Sequence, residues 1–434
     1  MLYPRNTKSD LLESIQHSPV VLIVGARQVG KSTLAKGLFP ETERPSYVTL
    51  DDISALSLAR SSAKTFLQGL DDSVIIDEVQ RAPELFLAIK ESVDASRKAG
   101  RFILTGSANV LTSPKISESL AGRMEIHTLW PLSRGEFLGQ REGFIDFAFA
   151  VDKVPKLSPL KLPQLIEILV AGGYPPALAR PSQKLRDNWF RGYLSSIVER
   201  DIRDLSHVER FTELPDLLSL VASRAGGMLN LADLSRSLSL PYMTLKRYLA
   251  LFEAIFLVVP LNSWSSNIGK RLVKAPKLYL NDTGLLCHML RRDSAALEAD
   301  RTLLGMVFEN FVLMELVKQI SWSETRPQIY HFRTADTKHE VDFVLESGDG
   351  RIVGIECKSS STVDQSSFNG LRALANQAGK KFHKGIVLYT GTNVLMFDEN
   401  LLALPISALW EIQSGNSPES ELFVSEEEGD YFPY

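Results

Sequence analysis

The fold of the first part of this chain follows from one stretch, Gly25-Ala26-Arg27-Gln28-Val29-Gly30-Lys31-Ser32. It matches the phosphate-binding loop pattern G-x-x-x-x-G-K-[ST] at every fixed position, between the apolar run 20–24 and a helical segment, 33–36. The glycines let backbone amides turn inward, the lysine supplies a charge for the β- and γ-phosphate oxygens, and the serine offers a hydroxyl to Mg²⁺. The alternative, a glycine-rich turn without a ligand, is disfavoured by this context. The stretch therefore predicts a nucleoside triphosphate site.

Two further strand ends complete this predicted site. An apolar strand ends in Asp77 and Glu78, and we expect Asp77 to hold Mg²⁺ through water and Glu78 to orient the attacking water as general base. The strand 101–105 leads to Ser107, the candidate sensor of the γ-phosphate, with Thr105 and Asn109 as alternates. The residues predicted to bind Mg-ATP are Gly25, Gln28, Val29, Gly30, Lys31, Ser32, Thr33, Asp77 and Ser107, of which Ser32 and Asp77 hold the metal.

One arginine is a candidate for stabilising the charge that develops during hydrolysis. Arg123 follows Ala121 and Gly122, and a guanidinium at the γ-phosphate can raise the rate by ~10³–10⁵. It can act on its own site or, in a homo-oligomer, on the site of a neighbour. The alternative is a surface or structural arginine, which is the commoner role of this residue type.

Several short motifs resemble those of a family of prokaryotic AAA-type ATPases, and the resemblance covers almost the whole chain. Members of that family carry a C-terminal domain of unknown function with a restriction-endonuclease-like fold, which the resemblance implies for this chain as well. Besides the phosphate loop, the motifs are Leu104-Thr105-Gly106-Ser107, Leu120-Ala121-Gly122-Arg123, Trp130-Pro131-Leu132-Ser133, Gly172-Gly173-Tyr174-Pro175, Glu199-Arg200-Asp201, Asn281-Asp282-Thr283-Gly284, Phe308-Glu309-Asn310-Phe311 and Leu404-Pro405-Ile406-Ser407-Ala408-Leu409-Trp410.

The middle of the chain has the pattern of a winged helix-turn-helix. The periodicity predicts helices over 230–238 and 243–252, a turn between them, and a strand over 255–261. Thr244, Lys246 and Arg247 fall on the exposed face of the second helix, where a helix that reads a DNA groove carries its contacts. A packing module or lid of the ATPase is the equally weighted alternative, because fold analogy says little about function.

A second constellation lies near the C-terminus, where Asp342 on one strand is followed by Glu356 and Lys358 on the next. This is the D-x(n)-E-x-K form of restriction-type nucleases, and alternation along the strand places Glu356 and Lys358 on one face. Asp342, Glu356 and Glu309 are the predicted ligands of Mg²⁺ or Mn²⁺, and Lys358 would stabilise or help to activate the nucleophile. The alternative is a solvated surface ion pair.

Composition limits the cellular setting and the partners. Lys and Arg are absent after residue 384, where nine of the 52 acids lie, whereas residues 180–277 hold 15 basic against nine acidic side chains. That local excess permits contacts with DNA phosphates without requiring them. The most apolar long run, 248–261, is too short to span a bilayer, no secretory signal is recognised, and two cysteines without a motif indicate the cytoplasm.

We therefore expect an α/β chain: a parallel P-loop NTPase sheet over residues 1–155, an all-α winged-helix region over 156–272, an α/β restriction-endonuclease-like domain over 273–416 and an acidic tail over 417–434. The expected function is ATP hydrolysis coupled to action on nucleic acid, with a metal-dependent C-terminal domain that binds or cleaves DNA. The alternative is an ATP-controlled regulatory switch whose C-terminal domain is a non-catalytic interaction module.

Overall fold

The N-terminal region of the computed structural model is built on a parallel five-stranded sheet. The model describes residues 2–107, 120–150, 154, 156–197, 213–271, 274–334 and 336–414. The strand order is β2-β3-β4-β1-β5, and every pairing in it is parallel. The strands are β1 (Val20–Val24), β2 (Ser46–Thr49), β3 (Val74–Asp77), β4 (Phe102–Gly106) and β5 (Met124–Thr128). The expected parallel sheet is confirmed.

Helices cover this sheet because the strand β1 is buried at every position and needs apolar cover on both faces. Helix α5, for example, buries Leu85, Phe86, Ala88, Ile89 and Val93. The helices of this region are α1 (Lys8–His17), α2 (Lys31–Lys36), α3 (Ile53–Ser61), α4 (Ala63–Gln68), α5 (Glu84–Ala95), α6 (Arg134–Leu138) and α7 (Phe144–Phe149).

The middle region is mainly helical and ends in a two-stranded antiparallel sheet, β6 (Val258–Leu261) with β7 (Lys277–Leu280). The predicted helix, turn, helix and strand are present as α12, α13 and β6. The predicted domain boundary after residue 272 separates β6 from β7, although the two strands pair with each other. A boundary after β7 would keep them in one domain. The helices are α8 (Leu162–Ala171), α9 (Pro175–Leu178), α10 (Gln183–Ser196), α11 (Leu214–Ala222), α12 (Leu231–Leu238), α13 (Tyr242–Ala254), α14 (Ile268–Arg271), α15 (Thr283–Leu290) and α16 (Ser294–Ala299).

The C-terminal region has a separate, mixed sheet of six strands in the order β12-β13-β11-β10-β9-β8. Strands β9 and β10 form the expected antiparallel hairpin, and β10 pairs in parallel with β11. The strands are β8 (Gln328–Arg333), β9 (Glu340–Glu346), β10 (Ile352–Lys358), β11 (Phe382–Tyr389), β12 (Leu395–Asp398) and β13 (Leu401–Pro405). The helices are α17 (Arg301–Ile320), α18 (Asn369–Ala378) and α19 (Ala408–Glu411).

One hydrophobic cluster of buried residues extends through all three regions, from Leu11 to Ile412. Helix α17 is central to it, because twelve of its residues are buried and they include both apolar and charged side chains. Among the described residues, no helix combines the length and the apolar character needed to cross a membrane.

Candidate functional site

The phosphate loop connects the end of β1 to the start of α2 at the carboxyl edge of the parallel sheet. Gly25 has a φ of +148°, and a Cβ there would lie 2.1 Å from the carbonyl oxygen of Leu129. Gly30 adopts a left-handed conformation with a φ of +102° directly before the helix. Both positions therefore require glycine, because an L side chain would be strained or would collide with the backbone.

The buried ammonium group of Lys31 lies inside the curve of this loop. Its Nζ donates hydrogen bonds to the carbonyl oxygens of Gly25, at 3.0 Å, and Ala26, at 2.9 Å. These are neutral acceptors, so the positive charge of the lysine is not neutralised by them. The loop thus presents backbone amides and one cation to the space that phosphates occupy in this motif.

The serine after this lysine contacts Asp77 at the end of β3, as expected for a pair that shares a metal ion. Ser32 Oγ donates to Asp77 Oδ1 at 2.7 Å, and the hydroxyl of Thr105 donates to the same oxygen. The phenol of Tyr47 donates to Asp77 Oδ2 at 2.7 Å. Burial and this carboxylate raise the pKa of Tyr47 above its usual range. Thr105 therefore supports Asp77, which favours Ser107 as the γ-phosphate sensor.

Glu78 lies beside Ser107 in a second polar group. Its backbone is left-handed, with a φ of 60°, a conformation that costs free energy in a residue other than glycine. Glu78 Oε2 accepts hydrogen bonds from Ser107 Oγ, at 3.3 Å, and from Gln80 Nε2. Gln80 Nε2 also donates to Ser107 Oγ at 2.9 Å. Gln80 therefore holds the predicted base next to the predicted sensor. The alternate Asn109 lies outside the described residues.

Arg123 is located at the opposite edge of the sheet from the phosphate loop. It directly precedes Met124, which pairs with Val20 at the start of β1, whereas the loop follows Val24 at the end of that strand. Four steps of about 3.3 Å separate these edges. The guanidinium instead pairs with Asp94, at 2.6 and 3.1 Å, and this hydrogen bonding holds the pKa of Asp94 below its usual value. This position favours a structural role, or action on the site of a neighbour, over action on the phosphates of its own chain.

Sequence reasoning missed the residues that attach the phosphate loop to its surroundings. Arg5 donates to the carbonyl oxygens of Val29, at 2.9 Å, and Trp130, at 2.7 Å, and it pairs with Glu136 at 3.1 Å. Trp189 on α10 donates to Gln28 Oε1 at 3.2 Å. No local pattern marks either residue, because each is separated from its partner by many residues along the chain.

Two motifs quoted for the family resemblance meet in the interior. Gly173 N donates to Asp282 Oδ2 at 2.5 Å, and Asn281 Nδ2 donates to the hydroxyl of Tyr174 at 2.8 Å. Asp282 also caps helix α15 through the amide of Leu285. These motif residues therefore hold the middle region together. The motif at residues 199–201 and the acidic tail at 417–434 lie outside the described residues.

The C-terminal candidates converge at one edge of the mixed sheet. We call Glu309, Glu340, Asp342 and Glu356 the carboxylate cluster. Asp342 Oδ2 accepts the amide hydrogen of Cys357 at 2.8 Å, and Glu356 Oε1 accepts from Lys358 Nζ at 2.9 Å. The other oxygen of Glu356 is buried and has no hydrogen-bond partner.

The protonation of the cluster reflects its crowding. Burial, followed by the nearby Glu356 and Glu309, raises the pKa of Asp342 well above its usual value. Burial also raises the pKa of Glu356, and Lys358 opposes that rise. The carboxylates that the sequence predicted to act together therefore raise one another's pKa, as crowded acids do.

A residue that sequence reasoning missed lies among them. Lys277 on β7 is 3% exposed, and its Nζ lies 3.1 Å from Glu309 Oε1, 2.6 Å from Glu340 Oε1 and 3.8 Å from Asp342 Oδ1. Burial alone would lower the pKa of Lys277, but these carboxylates outweigh burial and raise it above the usual range. The phenol of Tyr279 also donates to Glu309 Oε1, at 2.6 Å.

The predicted metal set Glu309, Asp342 and Glu356 therefore does not fit a metal ion in this arrangement. Within the part of the chain that the structure describes, no three His, Cys, Asp or Glu side chains are placed to hold one. The physical reason is that the Lys277 ammonium lies against oxygens that would have to be ligands. Lys358, which is 37% exposed, pairs with Glu356 and lies beside the cluster.

Three known domain families match successive parts of the chain. An AAA domain matches residues 17–138, the domain of unknown function DUF8612 matches 162–296, and the domain of unknown function DUF4143 matches 304–409. The AAA match and the loop geometry identify the N-terminal region as an AAA-type, ATPase-like P-loop domain. The matched C-terminal family has no assigned function.

Relatives and solved structures complete the comparison. The uncharacterized protein Rv2008c of Mycobacterium tuberculosis is 30% identical over 82% of this chain and 74% of its own length. The uncharacterized protein MJ1544 of Methanocaldococcus jannaschii is 22% identical over 70% of this chain and 64% of its own. The Holliday junction branch migration motor RuvB of Thermotoga maritima aligns at 18% identity, with 58% of this chain, 88% of that chain and a TM-score of 0.28. AMPPCP-bound DnaA from Aquifex aeolicus aligns at 12% identity. The alignment covers 56% of this chain and 86% of that chain, with a TM-score of 0.27.

Proposed function

This chain belongs to the same family as the mycobacterial protein Rv2008c, and we propose that it hydrolyses ATP and uses the cycle to act on nucleic acid. The observation that carries the first part is the hydrogen bond from Ser32 to Asp77 beside the group formed by Glu78, Gln80 and Ser107. Two oxygen donors and a candidate base beside one phosphate loop support hydrolysis.

Ser32 and Asp77 fit Mg²⁺, because a hydroxyl and a carboxylate oxygen that already lie 2.7 Å apart are the hard donors this ion prefers. When bound with ATP, the ion neutralises charge on the β- and γ-phosphate oxygens. Lys31 can exchange the carbonyl oxygens of Gly25 and Ala26 for phosphate oxygens, and the loop amides add further donors. These residues bind and orient the triphosphate.

Glu78 is the group that accepts a proton from the attacking water. Its carboxylate is held by the amide of Gln80 and the hydroxyl of Ser107, so its orientation is set before the nucleotide arrives. Preorganisation of this kind is how a general base contributes ~10²–10⁴-fold to a rate.

Phosphate release from ATP by the purified chain tests this proposal. Wild-type protein should release phosphate with Mg²⁺, and Glu78→Gln should lower turnover by about 10²–10⁴-fold while ATP still binds. Glu43→Gln, at an exposed position, is the matched control and should leave turnover unchanged. Wild-type protein that binds ATP without releasing phosphate would refute hydrolysis.

Action on nucleic acid is supported by the middle region. Lys246 and Arg247 on α13 are exposed, and α13 follows α12 and a tight turn in the order that predicts a winged helix-turn-helix. The basic excess of residues 180–277 lies in the same region. Exposed cations on such a helix suit the phosphates and base edges of a DNA groove.

A metal-dependent nuclease is the second candidate for the C-terminal region. The observation in its favour is that Asp342, Glu356 and Lys358 come together at one sheet edge. Among the described residues, the cluster as arranged does not fit a divalent ion, so it supports no metal-assisted cleavage step. The free thiols Cys287 and Cys357 support a reducing compartment, for which we propose the cytoplasm.

Incubation with branched, single-stranded and duplex DNA, with Mg²⁺ or Mn²⁺ and with or without ATP, separates these functions. Binding that weakens with salt supports the nucleic-acid function, and cleavage would establish the nuclease. The paired charge reversals Lys246→Glu and Arg247→Glu should weaken binding, whereas Lys338→Glu is the exposed control. ATP hydrolysis without DNA binding or cleavage under any condition would instead favour the regulatory switch.

A further inference from the structure

Lys277 is placed where a nuclease-type site would hold its cation. Its ammonium contacts oxygens from two elements of the C-terminal region: Glu309 on α17, and Glu340 and Asp342 on β9. The side chain is almost completely buried, with 4% of its surface exposed. A buried ammonium needs acceptors for its hydrogens, and Glu309 and Glu340 supply two of them, while the Asp342 carboxylate lies 3.8 Å away and adds opposite charge.

Three oxygens of the cluster also accept hydrogen bonds from donors other than Lys277. Asp342 Oδ2 accepts from the backbone amide of Cys357, and Glu356 Oε1 accepts from Lys358. Tyr279 donates to the same Glu309 oxygen that Lys277 contacts. A divalent ion would have to bind within a few ångströms of the lysine and to replace several of these bonds, and the like charges would repel.

We propose that Lys277 is a built-in cation that replaces the divalent metal of a nuclease-type site, so that the C-terminal domain of the wild-type chain functions without a metal. This role of Lys277 is separate from ATP hydrolysis and does not depend on it. It favours a binding module over a nuclease, because the carboxylates neutralise a lysine instead of activating water.

The origin of the lysine along the chain supports this assignment. Lys277 lies on β7, within the part matched by DUF8612, whereas the four carboxylates lie within the part matched by DUF4143. The ion pairs therefore cross between two family regions, and the pairing of β7 with β6 fixes the lysine in place from the middle region. The same contact that excludes a metal also fastens the two regions together.

The partnerless oxygen of Glu356 shows where a metal would enter if the lysine were removed. That oxygen is buried and accepts no hydrogen bond. Together with Glu309 and Asp342 it would supply carboxylate oxygens from α17, β9 and β10, a hard donor set that suits Mn²⁺ or Mg²⁺. Loss of the ammonium would leave these charges uncompensated and should create a metal site that the wild-type chain lacks.

Manganese binding by the full-length, nucleotide-free chain tests the proposal directly. All proteins carry Ser32→Ala, which removes a ligand of the other predicted metal site, and free Mn²⁺ is followed by its paramagnetic resonance signal. We expect Lys277→Met to bind one Mn²⁺ at least about tenfold more tightly than the parent protein, and added Mn²⁺ to raise the melting temperature of this variant alone. Lys338→Met, which removes an exposed lysine of the same domain, should behave as the parent does.

A second variant keeps the test decisive if the single substitution impairs folding. Lys277→Met combined with Glu340→Gln removes one charge of each sign and retains Glu309, Asp342 and Glu356; it should also gain Mn²⁺ binding. The proposal is overturned if the parent protein binds Mn²⁺ and Asp342→Asn abolishes that binding. It is equally overturned if neither variant binds more tightly than the parent, or if neither folds even in millimolar Mn²⁺.

Discussion

The two sites of this molecule each combine a buried lysine with carboxylates at a sheet edge, but the lysines have different partners. Lys31 in the phosphate loop donates hydrogen bonds to the carbonyl oxygens of Gly25 and Ala26. Asp77 accepts hydrogen bonds from the hydroxyls of Ser32, Thr105 and Tyr47. Lys277 lies directly against Glu309, Glu340 and Asp342.

This difference determines what each site can bind. A lysine on neutral carbonyls can exchange them for phosphate oxygens, and an aspartate that accepts hydrogen bonds from hydroxyls can exchange them for a metal ion. A buried lysine on carboxylates is costly to displace, because its departure leaves several charges without compensation. Similar residue types therefore form a candidate binding site at the phosphate loop and a buried set of ion pairs at the carboxylate cluster.

The largest expected effect concerns Arg123, the candidate arginine of the ATP site. It lies at the opposite edge of the sheet from the phosphate loop of its own chain. Arg123→Ala should lower ATP turnover by about 10³–10⁵-fold if Arg123 reaches the γ-phosphate of a neighbouring subunit. Glu78→Gln protein should also be inactive. Turnover should return when the two variants are mixed, because some interfaces then combine an intact Arg123 with an intact Glu78.

Phosphate release from the mixture, measured at several protein concentrations, is the decisive readout. Lys98→Ala serves as the control, since Lys98 is an exposed lysine paired with Asp72. A mixture as inactive as its components, or full turnover by Arg123→Ala alone, would show that the arginine is structural and serves only its ion pair with Asp94.

The next prediction compares how much the contacts of Lys277 and of Lys31 contribute to the free energy of unfolding. Lys277→Ala should lower the free energy of unfolding by about 3–5 kcal/mol, because it leaves buried carboxylates unpaired. Lys31→Ala should cost less stability and should instead abolish ATP binding, because the Gly25 and Ala26 carbonyl oxygens that it contacts are neutral. Urea denaturation and nucleotide titration measure the two quantities, with Lys338→Ala expected within about 0.5 kcal/mol of wild type. Equal losses of stability from both substitutions would remove the distinction.

A third buried group extends the comparison, because its Glu142 carboxyl lies near other carboxylates. Glu142 is 1% exposed, and burial, followed by Glu315, raises its pKa to about 8. The folded chain therefore binds a proton that the unfolded chain releases above about pH 4.5, so this group's stabilising contribution is lost as the pH rises toward about 8.

Glu142→Gln should remove this dependence and raise the free energy of unfolding at pH 8 by about 2–4 kcal/mol, since one pKa unit corresponds to about 1.4 kcal/mol. Denaturation at pH 5, 6.5 and 8 measures it. The exposed Glu43→Gln should leave the slope with pH unchanged. A variant with the wild-type slope would show that Glu142 is ionised in the folded chain.

The smallest effect concerns a positioning contact in the ATP site. Gln80→Ala removes the amide that joins Glu78 to Ser107, and it should lower kcat for ATP by about tenfold with little change in KM, because the base stays present but is less well oriented. Steady-state phosphate release measures both constants. A change in KM alone would indicate that Gln80 contacts the nucleotide instead.

Much of the ATP site could be predicted from local pattern. Asp77 lies beside Ser32 as expected, and the strands predicted over 20–24, before Glu78 and over 101–105 are present as β1, β3 and β4. The reason is that strand, loop and helix are short-range structures whose residue types are dictated by backbone conformation and phosphate chemistry.

The contacts that sequence reasoning missed join residues far apart in the chain. Arg5 reaches Val29 and Glu136, and Lys277 reaches Glu340 and Asp342, across segments that carry no shared motif. The sequence also did not reveal that Arg123 lies at the edge of the sheet opposite the phosphate loop, because a motif does not show where its arginine lies relative to a distant loop.

The sequence by itself determined that this chain has a phosphate loop with its acidic strand, and that an aspartate, a glutamate and a lysine recur near the C-terminus. Only the tertiary structure decided that a second lysine, from another region, lies among those C-terminal carboxylates. Local pattern specifies which groups a segment offers, whereas the packing of separate segments specifies which charges face one another, and in a buried site that second choice decides whether a metal can enter.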